Sequence, residues 1–288
     1  MSIRVCVTGG TGFVASHLVY QLLLKGYHVN TTIRDLKKKD ELRDALLQYH
    51  KENCTDPTQL LTEQVLNERL SIFEADLMKE GSFADVIKGC RFVHHVASPY
   101  KLDVKDAQQE LVDPAVKGTL NILNECIKLR QEQATHDVNR LQRVIITSSI
   151  VAICDTAEKD KIYTEDDWNE LSTVDRNPYY YSKVTSEKAA WKLMKEMQTK
   201  HGQDFIELAT INPSGVIGKP VLPQQVNQTH DIVAKVVNGE MPALIAMYMT
   251  FVDVKDVALS HVKYFYHPKE NVSFVVEMKP SQLDKYVK

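Results

Sequence analysis

Residues 8–15 read Thr8-Gly9-Gly10-Thr11-Gly12-Phe13-Val14-Ala15, and what flanks them decides the fold. Upstream, residues 4–8 (Arg-Val-Cys-Val-Thr) form a short apolar run of strand length; downstream, residues 13–25 carry the spacing of an amphipathic helix closed by Gly26. A glycine loop that leaves a strand and opens a helix suits a dinucleotide. Gly9 and Gly12 permit a tight turn and let the backbone approach a pyrophosphate, whose charge is favoured at a helix N-terminus. The spacing is G-x-x-G-x-x-A instead of G-x-G-x-x-G, and the small Ala15 still lets helix pack closely on strand. Gly9, Thr11, Gly12, Phe13 and Val14 are the expected cradle.

Outward from this loop, strand and helix alternate. Residues 28–33 read as a second strand, followed by strand-like runs at 70–73, 92–96, 144–147 and 207–211. The alternation predicts an α/β fold, a Rossmann-type doubly wound parallel sheet with helices on both faces. Two polar stretches interrupt it: residues 40–69, with two helical segments joined across 53–57, and residues 130–143. Both read as surface elaborations without chemistry. After Pro213 the rhythm becomes irregular, and Pro220, Pro223 and Pro242 suggest loops around a substrate cleft. The expected division is a dinucleotide-binding domain over 1–212, which also carries the catalytic group, and a small C-terminal substrate lobe over 213–288.

Composition narrows the partners. The chain of 288 residues has a formal net charge of -3, so no global basic field favours nucleic acid or an acidic membrane surface. No apolar run approaches the length of a membrane span. Strand-like sequence from Ile3 leaves no room for a signal peptide. The five cysteines (Cys6, Cys54, Cys90, Cys126, Cys154) are widely spaced, with no CxxC, and read as reduced core residues of a cytoplasmic protein.

Cofactor choice is expected at the end of the second strand, where a carboxylate would serve the ribose hydroxyls of NAD. Ile33 and Arg34 stand there instead. A missing carboxylate and a gained guanidinium both favour a 2′-phosphate, hence NADPH over NAD, with Lys37, Lys38 and Lys39 adding to the field. Asp35 keeps NAD open, because it offers either a partner for Arg34 or a ribose acceptor.

The strand at 144–147 ends in Ser148 and Ser149, at the sheet edge where such folds bind ligands. A hydroxyl there can donate to a carbonyl oxygen as negative charge develops, and Ser149 is the better placed of the two. Tyr179 and Lys183 lie four apart at the head of a helical run and so share a face. An ammonium beside the phenol favours its ionised form and brings a group with an unperturbed pKa of about 10 within reach of neutral pH. Ser149, Tyr179 and Lys183 are the expected catalytic group. His94 and His95 are adjacent in a strand and point to opposite faces, so they form no metal pair, and one of them reads as a core histidine.

With these residues in place the chain resembles the extended short-chain dehydrogenase/reductases, and within them the dihydroflavonol reductase, cinnamoyl-CoA reductase and yeast methylglyoxal/aldehyde reductase group. The match is carried by the glycine loop, Thr32-Ile33-Arg34-Asp35, Ala75-Asp76-Leu77, His94-His95-Val96-Ala97-Ser98-Pro99 and Val116-Lys117-Gly118-Thr119. It continues in Thr147-Ser148-Ser149, Tyr179-Tyr180-Tyr181-Ser182-Lys183, Glu187-Lys188-Ala189-Ala190-Trp191, Asn212-Pro213-Ser214 and Phe251-Val252-Asp253-Val254. The resemblance implies that Asp76 and Leu77 contact the adenine, that Val96, Ala97 and Ser98 line the path to the ribose, and that Pro213 and Ser214 flank the nicotinamide.

It further implies an NADPH-dependent reductase of a small or aromatic aldehyde or ketone, working as a monomer or homodimer without a metal. Two alternatives stand beside it. A hydroxysteroid dehydrogenase or sugar-nucleotide epimerase would use the same catalytic group, against which Arg34 and the Glu187–Trp191 run argue; a silent dinucleotide-binding regulator typically lacks the Tyr/Lys pair. Members of the group commonly run beyond 300 residues, so the pocket is expected to be open, completed by a partner subunit, or defective. Its walls are expected from residues 100–106, 153–168 and 221–249.

Overall fold

The computed structural model describes residues 3–99, 104–134, 137, 139–158, 160–241, 250–266 and 272–276. In chain order the elements are β1 (Arg4–Val7), α1 (Phe13–Leu24), β2 (His28–Ile33), α2 (Lys39–Asn53), α3 (Glu63–Arg69), β3 (Leu70–Glu74), α4 (Ala84–Ile87) and β4 (Phe92–His95). Then follow α5 (Asp113–Glu132), β5 (Arg143–Thr147), α6 (Pro178–His201), β6 (Glu207–Pro213), β7 (Gly215–Ile217), α7 (Gln228–Val237), β8 (Phe251–Asp253), α8 (Val254–Lys263) and β9 (Val272–Val276).

Seven strands form one parallel sheet in the order β3-β2-β1-β4-β5-β6-β9, while β7 and β8 pair separately. Short apolar runs such as Val144-Ile145-Ile146 suit strands covered on both faces. The pleat sorts the core. Val5 and Val7 join Leu18 and Leu22 of α1 and Val257 of α8 in one cluster; Cys6, between them, joins Ile122, Leu123 and Cys126 of α5 and Met194 of α6 in the other. Each fully buried leucine contributes about 2 kcal/mol. The strand order reverses between β1 and β4, which both leave their C-terminal ends at one edge; that crevice is where open α/β sheets bind ligands.

The doubly wound parallel sheet is as the alternation predicts, and the six strands read from the sequence all form. Residues after Pro213 also return to it: β9 pairs with β6, and α8 packs on α1. Three expectations are corrected. Arg130, expected in a surface extension, lies near the end of α5 and is 4% exposed, its guanidinium 5.4 Å from the centre of the Phe205 ring and bonded to the Asp204 carbonyl at 3.3 Å. Cys6, Cys90 and Cys126 are core residues, but Cys54 and Cys154 are half-buried, and Cys154 stands on the wall of the main cleft. Both His94 and His95 are buried, not one, because the sheet is covered on each side: His94 faces His261 of α8 and His95 faces Thr119 of α5.

Candidate active site

One cleft of about 1930 Å³ lies over the C-terminal ends of the strands at the point of reversal. Gly9, Thr11, Gly12, Phe13 and Val14 of the glycine loop line it, together with Arg34, Asp76 and Leu77, residues 96–98, Ser149, Tyr179, Lys183, Pro213 and Ser214. Residues 100–103 and 242–249, expected in part as pocket walls, lie outside the described residues.

At the glycine loop, Gly9 has φ +75°, in the left-handed region, and a Cβ there would stand 3.0 Å from that of Ala97. The turn is closed by the Gly12 amide donating to Gly9 O at 2.7 Å, and pinned by the Gly9 amide donating to Thr32 Oγ1 at 2.9 Å. Thr8 ties the next strand in, its Oγ1 accepting from the amides of Val96 and Ala97 at 3.0 Å each. Gly12 is the N-cap of α1 and supplies no capping side chain, and the first turn holds no acidic residue. The helix therefore presents its positive end to the cleft.

At the tip of β2, Arg34 is exposed on the cleft wall and forms no ion pair among the described residues. Asp35, which left NAD open, turns away to cap the turn Leu36–Lys38, its Oδ1 accepting from the Lys37 amide at 3.0 Å. Lys37, Lys38 and Lys39 do not line the cleft, since that turn carries them off the strand end. Asp76 caps a turn as well, accepting from the Met78 amide at 2.8 Å, so its side chain shapes the backbone where the adenine is expected.

The two serines after β5 have different environments. Ser148 is buried and donates to Glu187 Oε2, whereas Ser149 is half-buried on the cleft wall, with Oγ accepting only a long 3.4 Å bond from the Val151 amide among the described residues. The structure thus leaves Ser149, not Ser148, a hydroxyl proton for a ligand. Lys183 is 8% exposed; its Nζ lies 5.8 Å from the centre of the Tyr179 ring and donates to Ser98 Oγ at 3.2 Å. Burial pulls its pKa from the usual 10.5 to about 8, with the Glu187 carboxylate pushing the other way. Near neutral pH it remains mostly an ammonium poised to lose a proton.

The residues present fit a dinucleotide. A side chain at Gly9 would close the approach, the α1 N-terminus has no acid of its own, and Ser214 Oγ, buried where the nicotinamide end is expected, has no hydrogen-bond partner among the described residues.

The model of the NAD dependent epimerase/dehydratase family matches residues 5–276. The chain belongs to that family. This epimerase/dehydratase family member is 37% identical to a cinnamoyl-CoA reductase of Medicago truncatula over 90% of its own length and 71% of the relative's. It is 29% identical to a bifunctional dihydroflavonol 4-reductase/flavanone 4-reductase of Malus domestica, covering 99% and 74% of the two chains. Among solved structures, Gre2 of Candida albicans in complex with NADPH superposes with a TM-score of 0.73 at 31% identity, over 96% of this chain and 78% of that one.

Reading the sequence missed the residues that hold this family site together. Thr8 and Thr32 clamp the loop, and Asp155 anchors the segment before Tyr179. Glu187 ties α6 to the ends of β5 and β6. A signal was present for the last: Tyr179, Lys183, Glu187 and Trp191 recur every four residues, one stripe of α6 with a carboxylate in its middle.

Proposed function

We propose that the chain is an NADPH-dependent carbonyl reductase acting on a small or aromatic aldehyde or ketone. The observation that carries this reading is one cleft shared by an uncapped glycine-loop helix, an Arg34 that has no ion pair among the described residues and replaces the carboxylate at the end of β2, and the Ser149, Tyr179 and Lys183 side chains. The reductases to which the chain is similar, one of them in complex with NADPH, support the same class.

In this reading Gly9, Thr11, Gly12, Phe13 and Val14 hold the pyrophosphate and Arg34 holds the 2′-phosphate by charge-assisted hydrogen bonds. Asp76 and Leu77 flank the adenine; Val96, Ala97 and Ser98 line the ribose path; Pro213 and Ser214 meet the nicotinamide. Bound NADPH supplies the hydride that reduces the carbonyl carbon. Ser149 donates a hydrogen bond to the carbonyl oxygen as charge develops on it, and Tyr179 transfers its phenolic proton to that oxygen, so that a hydride on carbon and a proton on oxygen complete the alcohol. Lys183 stabilises the resulting phenolate and binds the nicotinamide ribose. Residues 1–212 then carry most of the cofactor contacts and the catalytic group, and residues 213–288 supply the substrate lobe besides α8 and β9, which join the main sheet and its helices.

The test is a screen of NADPH and NADH oxidation over aldehydes, diketones, flavonoid ketones and acyl-CoA esters. Carbonyl-dependent oxidation that prefers NADPH is expected, with Tyr179→Phe lowering kcat by about 100-fold or more while NADPH binding stays within about twofold. Equal turnover by wild type and Tyr179→Phe overturns the assignment.

A further inference from the structure

Behind the catalytic pair, on the same stripe of α6, lies a carboxylate that the reaction as described does not use. Glu187 is 3% exposed. Its Oε2 accepts from Ser148 Oγ and from Asn212 Nδ2 at 2.9 Å, and its Oε1 accepts from Trp191 Nε1 at 3.2 Å. Asn212 Nδ2 also donates to the carbonyl oxygen of Ser149 at 3.2 Å. One buried carboxylate thus joins the residue that follows β5, one position before Ser149, to the end of β6, just before Pro213 and Ser214, and both to the helix of Tyr179 and Lys183.

We propose that Glu187 is a positioning residue of this site: it fixes the strand ends carrying Ser149 and Ser214 against α6, and its charge keeps Lys183 an ammonium.

The second half follows from the surroundings of Lys183. The groups facing it are Tyr179 and Glu187 from its own helix, His95 from β4, Ser98 beyond β4 and Ser148 beyond β5. His95 is fully enclosed, and burial, with Lys183 adding to it, drives its pKa down to about 3, so it is neutral and offers no counter-charge. Glu187 is the one carboxylate acting on Lys183 among the described residues, and it opposes the desolvation that lowers the lysine. Its oxygens are engaged by Ser148, Asn212 and Trp191, so it acts on Lys183 through the field of a fixed anion. All three partners are donors. A glutamine there would present one oxygen and an NH2 to a site built to receive an acceptor on each side, while an aspartate would fall a methylene short.

The proposal rests on the reductase reading for its bearing on catalysis, but its central test needs neither cofactor nor substrate. Ligand-free protein labelled with carbon-13 lysine is titrated by NMR, the Lys183 signal being assigned by its loss in Lys183→Arg. Glu187→Gln is expected to lower the Lys183 midpoint by about one pH unit or more, whereas Ser148→Ala, which removes a hydrogen bond and leaves the carboxylate, moves it by less than about 0.3. In turnover with NADPH, Glu187→Gln should lower kcat about tenfold at pH 7.5 with the KM for NADPH little changed, and bring the alkaline fall of the pH profile to lower pH. Glu187→Asp, which restores the charge, should recover the midpoint better than the activity. An unchanged midpoint in a Glu187→Gln protein that unfolds cooperatively and binds NADPH overturns the proposal; if that variant does not fold, a Glu187→Asp midpoint about a unit below wild type, without Glu187's charge having been removed, overturns it equally. Should the wild type reduce no carbonyl yet show the displaced midpoint, the reductase reading falls and the electrostatic role of Glu187 stands.

Discussion

At the scale of single residues, the proposed function places discrimination between the two dinucleotides on Arg34. It stands on the cleft wall, and Asp35, the group that would have served NAD, is engaged as the cap of the following turn. A guanidinium bonded to a phosphate contributes about 1.5–3 kcal/mol. Arg34→Ala should therefore raise the Kd for NADPH by about 10- to 100-fold and leave that for NADH within about twofold, as read by fluorescence titration with each cofactor. Equal losses for both would remove Arg34 as the phosphate clamp. This residue and the glycine loop were legible in the sequence because their chemistry is local: a strand end, a missing carboxylate, a glycine where φ must be positive. Glu187 was legible only as a carboxylate on the stripe of Tyr179 and Lys183; its role was not, because that comes from Ser148, 39 positions earlier, and Asn212, 25 positions later, which only the folded sheet brings together.

At the scale of an element, the start of α6 has to be held because Tyr179 is its second residue. The segment before it enters through Asn177, at φ +54°, a conformation asparagine tolerates better than most side chains. Asp155 secures that entry. Its side chain is 1% exposed and accepts from Ser172 Oγ at 2.5 Å, Asn177 Nδ2 at 2.8 Å and Arg176 at 3.1 Å. Burial opposes its ionisation, yet the bonds from Ser172, Asn177, Thr156 and Arg176 prevail and hold the carboxyl well below the usual range. Asp155→Ala leaves the buried Ser172 hydroxyl without its acceptor, which should cost about 1–3 kcal/mol and a few degrees of Tm. Because the loss sits at the head of α6, kcat should fall with little change in NADPH affinity; a variant with lowered Tm and unaltered kcat would separate Asp155 from the placement of Tyr179. The strands and long helices around this entry were legible from their periodicity. The β7–β8 pair was not, since strands of three residues leave little pattern to read.

For the whole molecule, four buried histidines make stability depend on acid. His17 of α1 is lowered to about 4 and His95 and His261 to about 3, in each case chiefly by burial; His94 is lowered too, by burial and then by the neighbouring His261. The His94–His261 contact independently excludes protonation of both rings. His94 Nδ1 and His261 Nδ1 lie 3.1 Å apart, a bond that needs one nitrogen to donate and the other to accept, and His261 Nε2 is bonded in turn to Thr147 Oγ1 at 2.9 Å. If both rings were protonated, two N–H groups would face each other in the core. The sign follows from proton counts. Between pH 6.5, where histidines of the unfolded chain titrate, and pH 3–4, where the folded ones would, the unfolded state holds more protons, so stability is present above pH 6.5 and lost as pH falls. Each histidine contributes a slope of about 1.4 kcal/mol per pH unit in that window. From pH 7 to 5.5 the loss should be about 1 kcal/mol per histidine, a large part of the ~5–15 kcal/mol that holds a domain folded. Urea unfolding at pH 7.5, 6.5 and 5.5 should show the midpoint dropping steadily, and carboxylates cannot mimic this, because their own protonation begins about two units lower. A midpoint that stays flat down to pH 5 would mean that these rings take up protons in the folded state, and with them that the His94–His261 contact opens before the sheet does.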